Sequence, residues 1–163
     1  QGFADQTTCI TAVDVVSGVT RPWGPPLPDC AGNLWTRWRD SVVLTSGRAG
    51  FFRVTRHDLE TGEQVGGAVE CDPPPGGLLA KVVVEGDVLF VSGEFVSCGP
   101  APGNDATQLP RDRLVAIDAE TMTVLDLPLL TNGRASALDV SATHVLQNTS
   151  SWWFSPNFTL YRR

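Results

Sequence analysis

The stretch Arg113-Leu-Val-Ala-Ile-Asp-Ala-Glu-Thr-Met122 decides the fold, because two weaker copies of it lie upstream in the chain. Its alternating, β-branched residues predict a strand, and an aspartate followed three residues later by a threonine favours a tight turn into the next strand. The copies are Ile10-Thr-Ala-Val-Asp-Val-Val-Ser-Gly18 and Arg53-Val-Thr-Arg-His-Asp-Leu-Glu-Thr-Gly62. The stretch therefore marks an internal repeat built on a strand and a turn.

The spacing of the copies predicts the size of the repeating unit. The turn aspartates are Asp14, Asp58 and Asp118, so successive copies lie 44 and 60 residues apart. This spacing fits units of about four strands, as in propeller blades. Proline-rich breakers at 24–32 and 71–77 separate the units, since proline removes a donor from a strand ladder. We predict an all-β chain with the end of one unit in 1–28, a second unit in 29–70, a third in 71–128 and the start of a fourth in 129–163.

Composition indicates a folded, strand-rich, soluble chain. Of its 163 residues, 42% are hydrophobic and 18% are charged, which is enough apolar material for a real core. The 16 glycines and 12 prolines punctuate short apolar runs, which favours strands over helices. A net charge of −6 argues against nucleic acid or an anionic membrane surface as partner. No run approaches the roughly 18 apolar residues that a membrane span requires.

The four cysteines favour disulfide bonds over a metal site. They show no Cys-x-x-Cys spacing and are accompanied by only two histidines, so zinc is not expected. Cys30 and Cys71 follow their turn aspartates by 16 and 13 residues, which places them similarly in successive units. Among three connectivities we predict Cys9 with Cys30 and Cys71 with Cys98, with four free thiols as the alternative. Disulfides indicate an oxidising compartment, hence a secreted, cell-surface or periplasmic protein.

Two motifs connect the chain to a known kind of repeat. Val91-Ser-Gly-Glu-Phe95 and the stretch from Arg113 to Thr121 resemble secreted β-propeller repeats of the kelch-like and quinoprotein-like kind. Those repeats read Leu-Tyr-Val-Gly-Gly-x-Phe, then Arg-x-x-Leu-Ala-x-Asp-x-x-Thr-Gly, so Ser92 and Met122 each replace a glycine. The segment 12–18 with Trp23 is similar to the tryptophan-docking repeat of quinoproteins. The resemblance covers nearly the whole chain and implies a fold rather than a chemistry.

About three blades do not close a ring, since propellers usually have at least four. The resemblance therefore implies a partial β-propeller whose partners are the remaining blades, from the same parent protein or from other chains. Because the sequence shows no nucleophile elbow, no phosphate loop and no metal-spaced histidine cluster, we expect a non-catalytic extracellular module that serves as a structural surface or binds protein or glycan. The alternative is part of a propeller enzyme, either a quinoprotein-type oxidoreductase or a glycan-acting enzyme. We expect this chain to carry no cofactor and no metal.

Candidate binding residues lie in the parts of the chain that do not repeat. The loop from Cys98 to Pro110 is the longest, and long loops on rigid scaffolds often carry function, which singles out Asn104 and Asp105. Neighbouring residues of an extended segment point to opposite sides, so Trp152 and Trp153 cannot both point inward. We therefore predict a binding surface that includes these four residues.

Other aromatic and titratable residues have structural interpretations. Trp35 and Trp38 fall on opposite faces of one predicted strand, so at least one of them is expected to be exposed. His57, next to a turn aspartate, could act as a base or a switch, but we expect it to be hydrogen-bonded and exposed. A carboxylate pair such as Asp72 and Asp87 could serve hydrolysis, yet turn roles are expected for both.

Overall fold

The computed structural model describes residues 10–23, 34–48, 51–72, 79–101, 109–110, 113–127, 134–141, 144–151 and 154–162. These ranges contain fifteen β-strands and no helix, and therefore no helix that could cross a membrane. In chain order, the strands are β1 (Thr11–Val13), β2 (Thr20–Pro22), β3 (Leu34–Trp38), β4 (Ser41–Arg48), β5 (Phe51–Asp58), β6 (Gln64–Asp72), β7 (Leu79–Glu85), β8 (Val88–Gly93), β9 (Ser97–Pro100), β10 (Leu109–Pro110), β11 (Leu114–Asp118), β12 (Thr123–Val124), β13 (Arg134–Val140), β14 (His144–Ser151) and β15 (Phe154–Arg162).

The strands form four antiparallel sheets that follow one another along the chain. The first sheet is β1-β2, and the second has the order β10-β9-β6-β5-β4-β3. The third sheet has the order β12-β11-β8-β7, and the fourth β13-β14-β15. The predicted all-β, antiparallel fold class is thus confirmed for the described residues.

The repeated turn closes in the same way in the first three sheets. One carboxylate oxygen of Asp14, Asp58 and Asp118 accepts the N–H of the residue three positions on, at 2.7 Å in each case. The carbonyl of each aspartate accepts the N–H of the residue four positions on, at 2.8 to 2.9 Å. At that position two glycines have φ of 70° and 76°, and Met122 has 55°. Met122 therefore adopts the left-handed conformation of the glycine that it replaces.

In the second and third sheets, the residue after the turn aspartate ties the third strand to the hairpin of the first two strands. Two-residue turns, 39–40 and 86–87, join β3 to β4 and β7 to β8. The N–H of Leu59 donates to the carbonyl of Asp40, and the N–H of Ala119 donates to the carbonyl of Asp87, both at 2.9 Å. The second and third sheets thus share one plan of four places. In the second sheet these places are filled by β3, β4, β5 and β6 in turn, and in the third sheet by β7, β8, β11 and β12.

Apolar side chains pack the sheets face to face in chain order. Because successive residues of a strand point to opposite faces, one strand can serve two interfaces. In β8, Leu89 and Val91 join the cluster against the second sheet, while Phe90 joins the cluster against the fourth. All three are fully buried, and each stabilises the fold by about 1.5–3 kcal/mol. The cluster between the first two sheets consists of Ile10, Ala12, Trp23, Val42 and Leu44.

The structure differs from the sequence expectation in the segment from Cys98 to Pro110, which was expected to be a loop. Its described ends lie in β9 and β10, and these strands extend the second sheet beyond β6. Cys71 and Cys98 are directly opposite each other across β6 and β9 and form a fully buried disulfide. This confirms the predicted Cys71–Cys98 pairing, and the bridge holds β9 against β6. β6 continues through Cys71 and ends at Asp72.

The double variant Cys71→Ala/Cys98→Ala should lose about 2–4 kcal/mol of unfolding free energy, because the bridge closes a loop with a sequence separation of 27 residues. Urea denaturation followed by circular dichroism measures the loss. Val96→Ala, at an exposed position beside the bridge, is the matched control and should change stability by less than about 0.5 kcal/mol. Equal midpoints for the double variant and the control would contradict a structural role for the disulfide.

Candidate functional site

Six of the residues singled out from the sequence lie outside the described part of the chain, so their predicted roles stay predictions. They are Cys9, Cys30, Asn104, Asp105, Trp152 and Trp153. Among the described residues, polar contacts concentrate where the second and third sheets meet.

Trp38 is the centre of this interface. It ends β3, is 5% exposed, and donates its indole Nε1–H to the carbonyl of Gly86 in the next sheet at 3.0 Å. The guanidinium carbons of Arg39 and Arg56 lie over its ring, 4.5 and 5.1 Å from the centroid. Guanidinium groups are attracted to the negative face of an indole, so both arginines hold the ring in place.

Arg39 links the two sheets at the exposed rim of the interface. Its Nη2 lies 2.8 Å from Asp87 Oδ1, and its Nη1 lies 2.9 Å from Glu120 Oε2. All three side chains are more than half exposed, so each ion pair contributes only about 0–1 kcal/mol. The pairs therefore set the register of the two turns more than they stabilise the fold.

Arg56 makes the corresponding contact inside the interface. It is 7% exposed, and its Nη1 donates to the carbonyl of Ala119 at 2.9 Å. The pKa of Asp118 is lowered mainly by the backbone N–H and the hydroxyl of Thr121, and the charge of Arg56 lowers it further. The buried cation therefore favours the ionised form of the aspartate that closes the turn.

The residue that follows the turn aspartate also accepts a hydrogen bond at the interface between the first two sheets. The indole Nε1–H of Trp23 donates to the carbonyl of Leu59 at 2.8 Å. Leu59 and Ala119 each follow a turn aspartate. In both described cases, the carbonyl after the marker aspartate receives a donor from the preceding sheet. Sequence reasoning missed Arg56, because nothing in the repeat identifies an arginine in β5 as the counterpart of a tryptophan after β2.

His57 is buried, and the expectation of an exposed histidine was wrong. It is 1% exposed, because Trp23 of the first sheet lies against it with ring centroids 6.4 Å apart. Its Nδ1 lies 3.1 Å from the carbonyl of Gly62, and its Nε2 lies 2.9 Å from the hydroxyl of Thr55. A neutral ring satisfies both contacts, with Nδ1–H donating and Nε2 accepting. Burial lowers the pKa of His57, more than the hydrogen bond to Gly62 raises it.

The carboxylates of Asp72 and Asp87, considered for acid–base work, bind separate partners. Asp72 accepts the hydroxyl of Ser97 at 3.2 Å on the second sheet, whereas Asp87 pairs with Arg39 at the edge of the third. No group of three or more His, Cys, Asp or Glu in the described ranges could hold a metal ion. Arg39, Arg53 and Arg56 instead join strands or sheets through their ion pairs and hydrogen bonds.

Apolar side chains are exposed at the first sheet and on β3. Trp35 is 69% exposed while Trp38 is buried, as their opposite faces on the strand predicted. Val15 and Val16, in the first turn, are 96% and 95% exposed. An open concavity of about 650 Å³ lies at this turn and is lined by Ala12, Val13, Asp14, Val15, Ser17 and Val19.

Comparison of the chain with protein-family models, with curated proteins and with solved structures found no match. Function therefore has to be inferred from the contacts of the chain itself.

Trp38→Phe should lower the free energy of unfolding by about 1–3 kcal/mol, because it removes the donor to Gly86 and part of a buried ring. Trp35→Phe, on the same strand but exposed, should change it by less than about 0.5 kcal/mol. Denaturant titration of both variants measures the difference. If the two substitutions cost the same, Trp38 does not join the sheets as described.

Stability should decrease in mildly acidic solution because of His57. Its pKa is lowered in the folded chain, so the unfolded chain binds a proton more readily. The unfolding free energy should be highest above about pH 6.5, the ordinary pKa of histidine. It should fall as the pH decreases toward the lowered pKa of His57 in the folded chain. Urea titrations between pH 5 and 8 test this. The slope should be lost in His57→Gln, which retains His144; a slope that persists there has another cause.

Proposed function

We propose that this chain is a non-catalytic extracellular module, a segment of a β-propeller, that serves as a structural surface or binds protein or glycan. One observation carries the proposal. In the described interfaces between the first, second and third sheets, apolar side chains meet face to face, and the carbonyl after a turn aspartate accepts a donor from the preceding sheet. Sheets that repeat one interface can be added in series, as in repeat architectures.

The order of the contacts supports a propeller segment. The first strands of successive sheets lie against each other, β3 against β7 and β7 against β13. Each described sheet is antiparallel and is followed by the next along the chain, as the blades of a propeller are. Further blades, from the same protein or from other chains, would cover the faces that remain exposed.

The use of the charged and titratable residues supports a non-catalytic role. Both ring nitrogens of His57 are engaged in hydrogen bonds, and Arg56 is held between an indole and a carbonyl. Asp58 and Asp118 bond to the backbone of their own turns, and their pKa values are lowered mainly for that reason. Groups committed to structure in this way are poorly placed to exchange protons with a substrate.

The disulfide supports an extracellular setting. Cys71 and Cys98 lie in the core between sheets, where the bond braces an inserted segment. Bridges of this kind persist in secreted and surface proteins, whose environment is oxidising. An extracellular module of stacked sheets offers large, rigid surfaces for partner chains or glycans.

Incubation of the folded chain with a glycan array, with both binding and release of reducing ends recorded, tests this proposal. We expect binding without turnover that is lost in Trp153→Ala, and retained in Val13→Ser, a change at an exposed position of β1. Retention of the wild-type circular dichroism spectrum is the folding control. An absence of any glycan or protein ligand would leave the structural role. Release of reducing ends, or oxidation of a glycan, would contradict a non-catalytic module.

A further inference from the structure

We propose that the first sheet and β3 together form a docking surface for an apolar two-stranded β-hairpin, which pairs with β1 and covers Trp35. This inference rests on the proposed function only in assuming that the first sheet follows the plan of the next two. Three observations, on strand pairing, on backbone hydrogen bonding and on side-chain exposure, point to the same partner.

The place of β1 in its sheet is the first observation. β5 and β11 carry the marker turn in the second and third sheets, and each pairs on both sides, β5 with β4 and β6, and β11 with β8 and β12. β1 carries the same turn, yet within the described ranges it pairs with β2 alone. The first and second places of this sheet, which a hairpin fills in the other two, have no occupant among the described strands.

The backbone of Val15 is the second observation. Val15 follows its turn aspartate just as Leu59 and Ala119 follow theirs. The N–H of Leu59 donates to the carbonyl of Asp40, and the N–H of Ala119 to that of Asp87. Each acceptor lies in the turn between the first two strands of the same sheet. Val15 is 96% exposed, and its N–H has no hydrogen-bond acceptor in the described part of the chain. A hairpin in the unfilled places would bring a turn carbonyl to this N–H.

The uncovered half of an apolar interface is the third observation. Trp35 is opposite Leu44 in the ladder between β3 and β4, so the two side chains lie on one face of the second sheet. The first sheet covers Leu44, which is 1% exposed, but leaves Trp35 69% exposed. Between the second and third sheets, β3 lies against β7, so the first strand of one sheet packs on the first strand of the next. A strand in the first place of the first sheet would therefore lie over Trp35 and extend the apolar interface between the first and second sheets.

The chemistry of the partner follows from these three contacts. It is an antiparallel hairpin with a two-residue turn, an acceptor carbonyl in that turn, and apolar side chains on the face toward Trp35. An acidic side chain suits the neighbouring Arg37, which is exposed on the same face. The segment Leu34–Arg48 is an antiparallel hairpin with a two-residue turn, and its turn carbonyl at Asp40 already accepts the N–H of Leu59 in the second sheet.

A head-to-tail cyclised peptide with the sequence of residues 34–48 is the probe, since cyclisation offsets the marginal stability of an isolated hairpin. Fluorescence anisotropy measures its binding to the whole folded chain, and amide hydrogen exchange follows the Val15 N–H. We expect saturable binding and at least a tenfold slower exchange at Val15.

Matched variants test the two contacts separately. Val15→Pro removes the N–H at a turn position that accepts proline, whereas Val15→Ala keeps it, so only the proline variant should weaken binding tenfold or more. Trp35→Ser should weaken binding without changing the fold, and Val96→Ser, an exposed position beside β9 at the edge of the second sheet opposite β3, should leave binding unchanged.

A peptide that fails to bind, or that binds Val15→Pro as tightly as Val15→Ala with Val15 exchange unaltered, overturns the proposal. Sedimentation of the chain alone identifies the source of the hairpin. A dimer that dissociates in Val15→Pro shows that a second copy supplies it, and a monomer that binds the peptide shows that a segment other than a second copy of this chain does. Turnover of glycans in the array experiment would overturn the non-catalytic function but leave these binding results unchanged, so the two failures are distinguishable.

Discussion

The hydrogen bond to the carbonyl of the residue after a turn aspartate, found at Leu59 and Ala119, is the interaction that aligns the first three sheets. An antiparallel sheet with two apolar faces has to bury both of them, and apolar contact by itself does not fix how two sheets are rotated or shifted. The bonds from Trp23 to Leu59 and from Arg56 to Ala119 supply that direction. Each lies beside a buried apolar cluster, so contact area and alignment are provided together.

The aspartate turn makes this carbonyl available by using its neighbouring groups for other bonds. In the turn of Asp118, the carboxylate holds the N–H and the hydroxyl of Thr121, and the aspartate carbonyl holds the N–H of Met122. The N–H of Ala119 is bound to Asp87 in the same sheet, which leaves its carbonyl for the neighbouring sheet. Ala119 thus links its own turn, the hairpin of its sheet and the neighbouring sheet. This role explains why the turn recurs while the strand sequences around it vary.

Much of the scaffold could be predicted from the sequence, because strand alternation and turn chemistry are local properties. The marker turn, the antiparallel strands and the Cys71–Cys98 pair followed from spacing and composition. The burial of His57, the role of Arg56 and the pairing of β9 with β6 did not follow, since they depend on which sheet faces which. The proposed glycan or protein site at Asn104, Asp105, Trp152 and Trp153 lies outside the described residues.

Hydrogen exchange of the indole N–H groups, read by NMR, tests the stacking account most directly. The indoles of Trp23 and Trp38 donate across sheet interfaces, whereas Trp35 is largely exposed on the same face as Leu44. Slow exchange is expected for the first two indoles and fast exchange for Trp35, since exchange at an interface requires the sheets to separate. Equally fast exchange at all three would show that the sheets are not held together by these bonds.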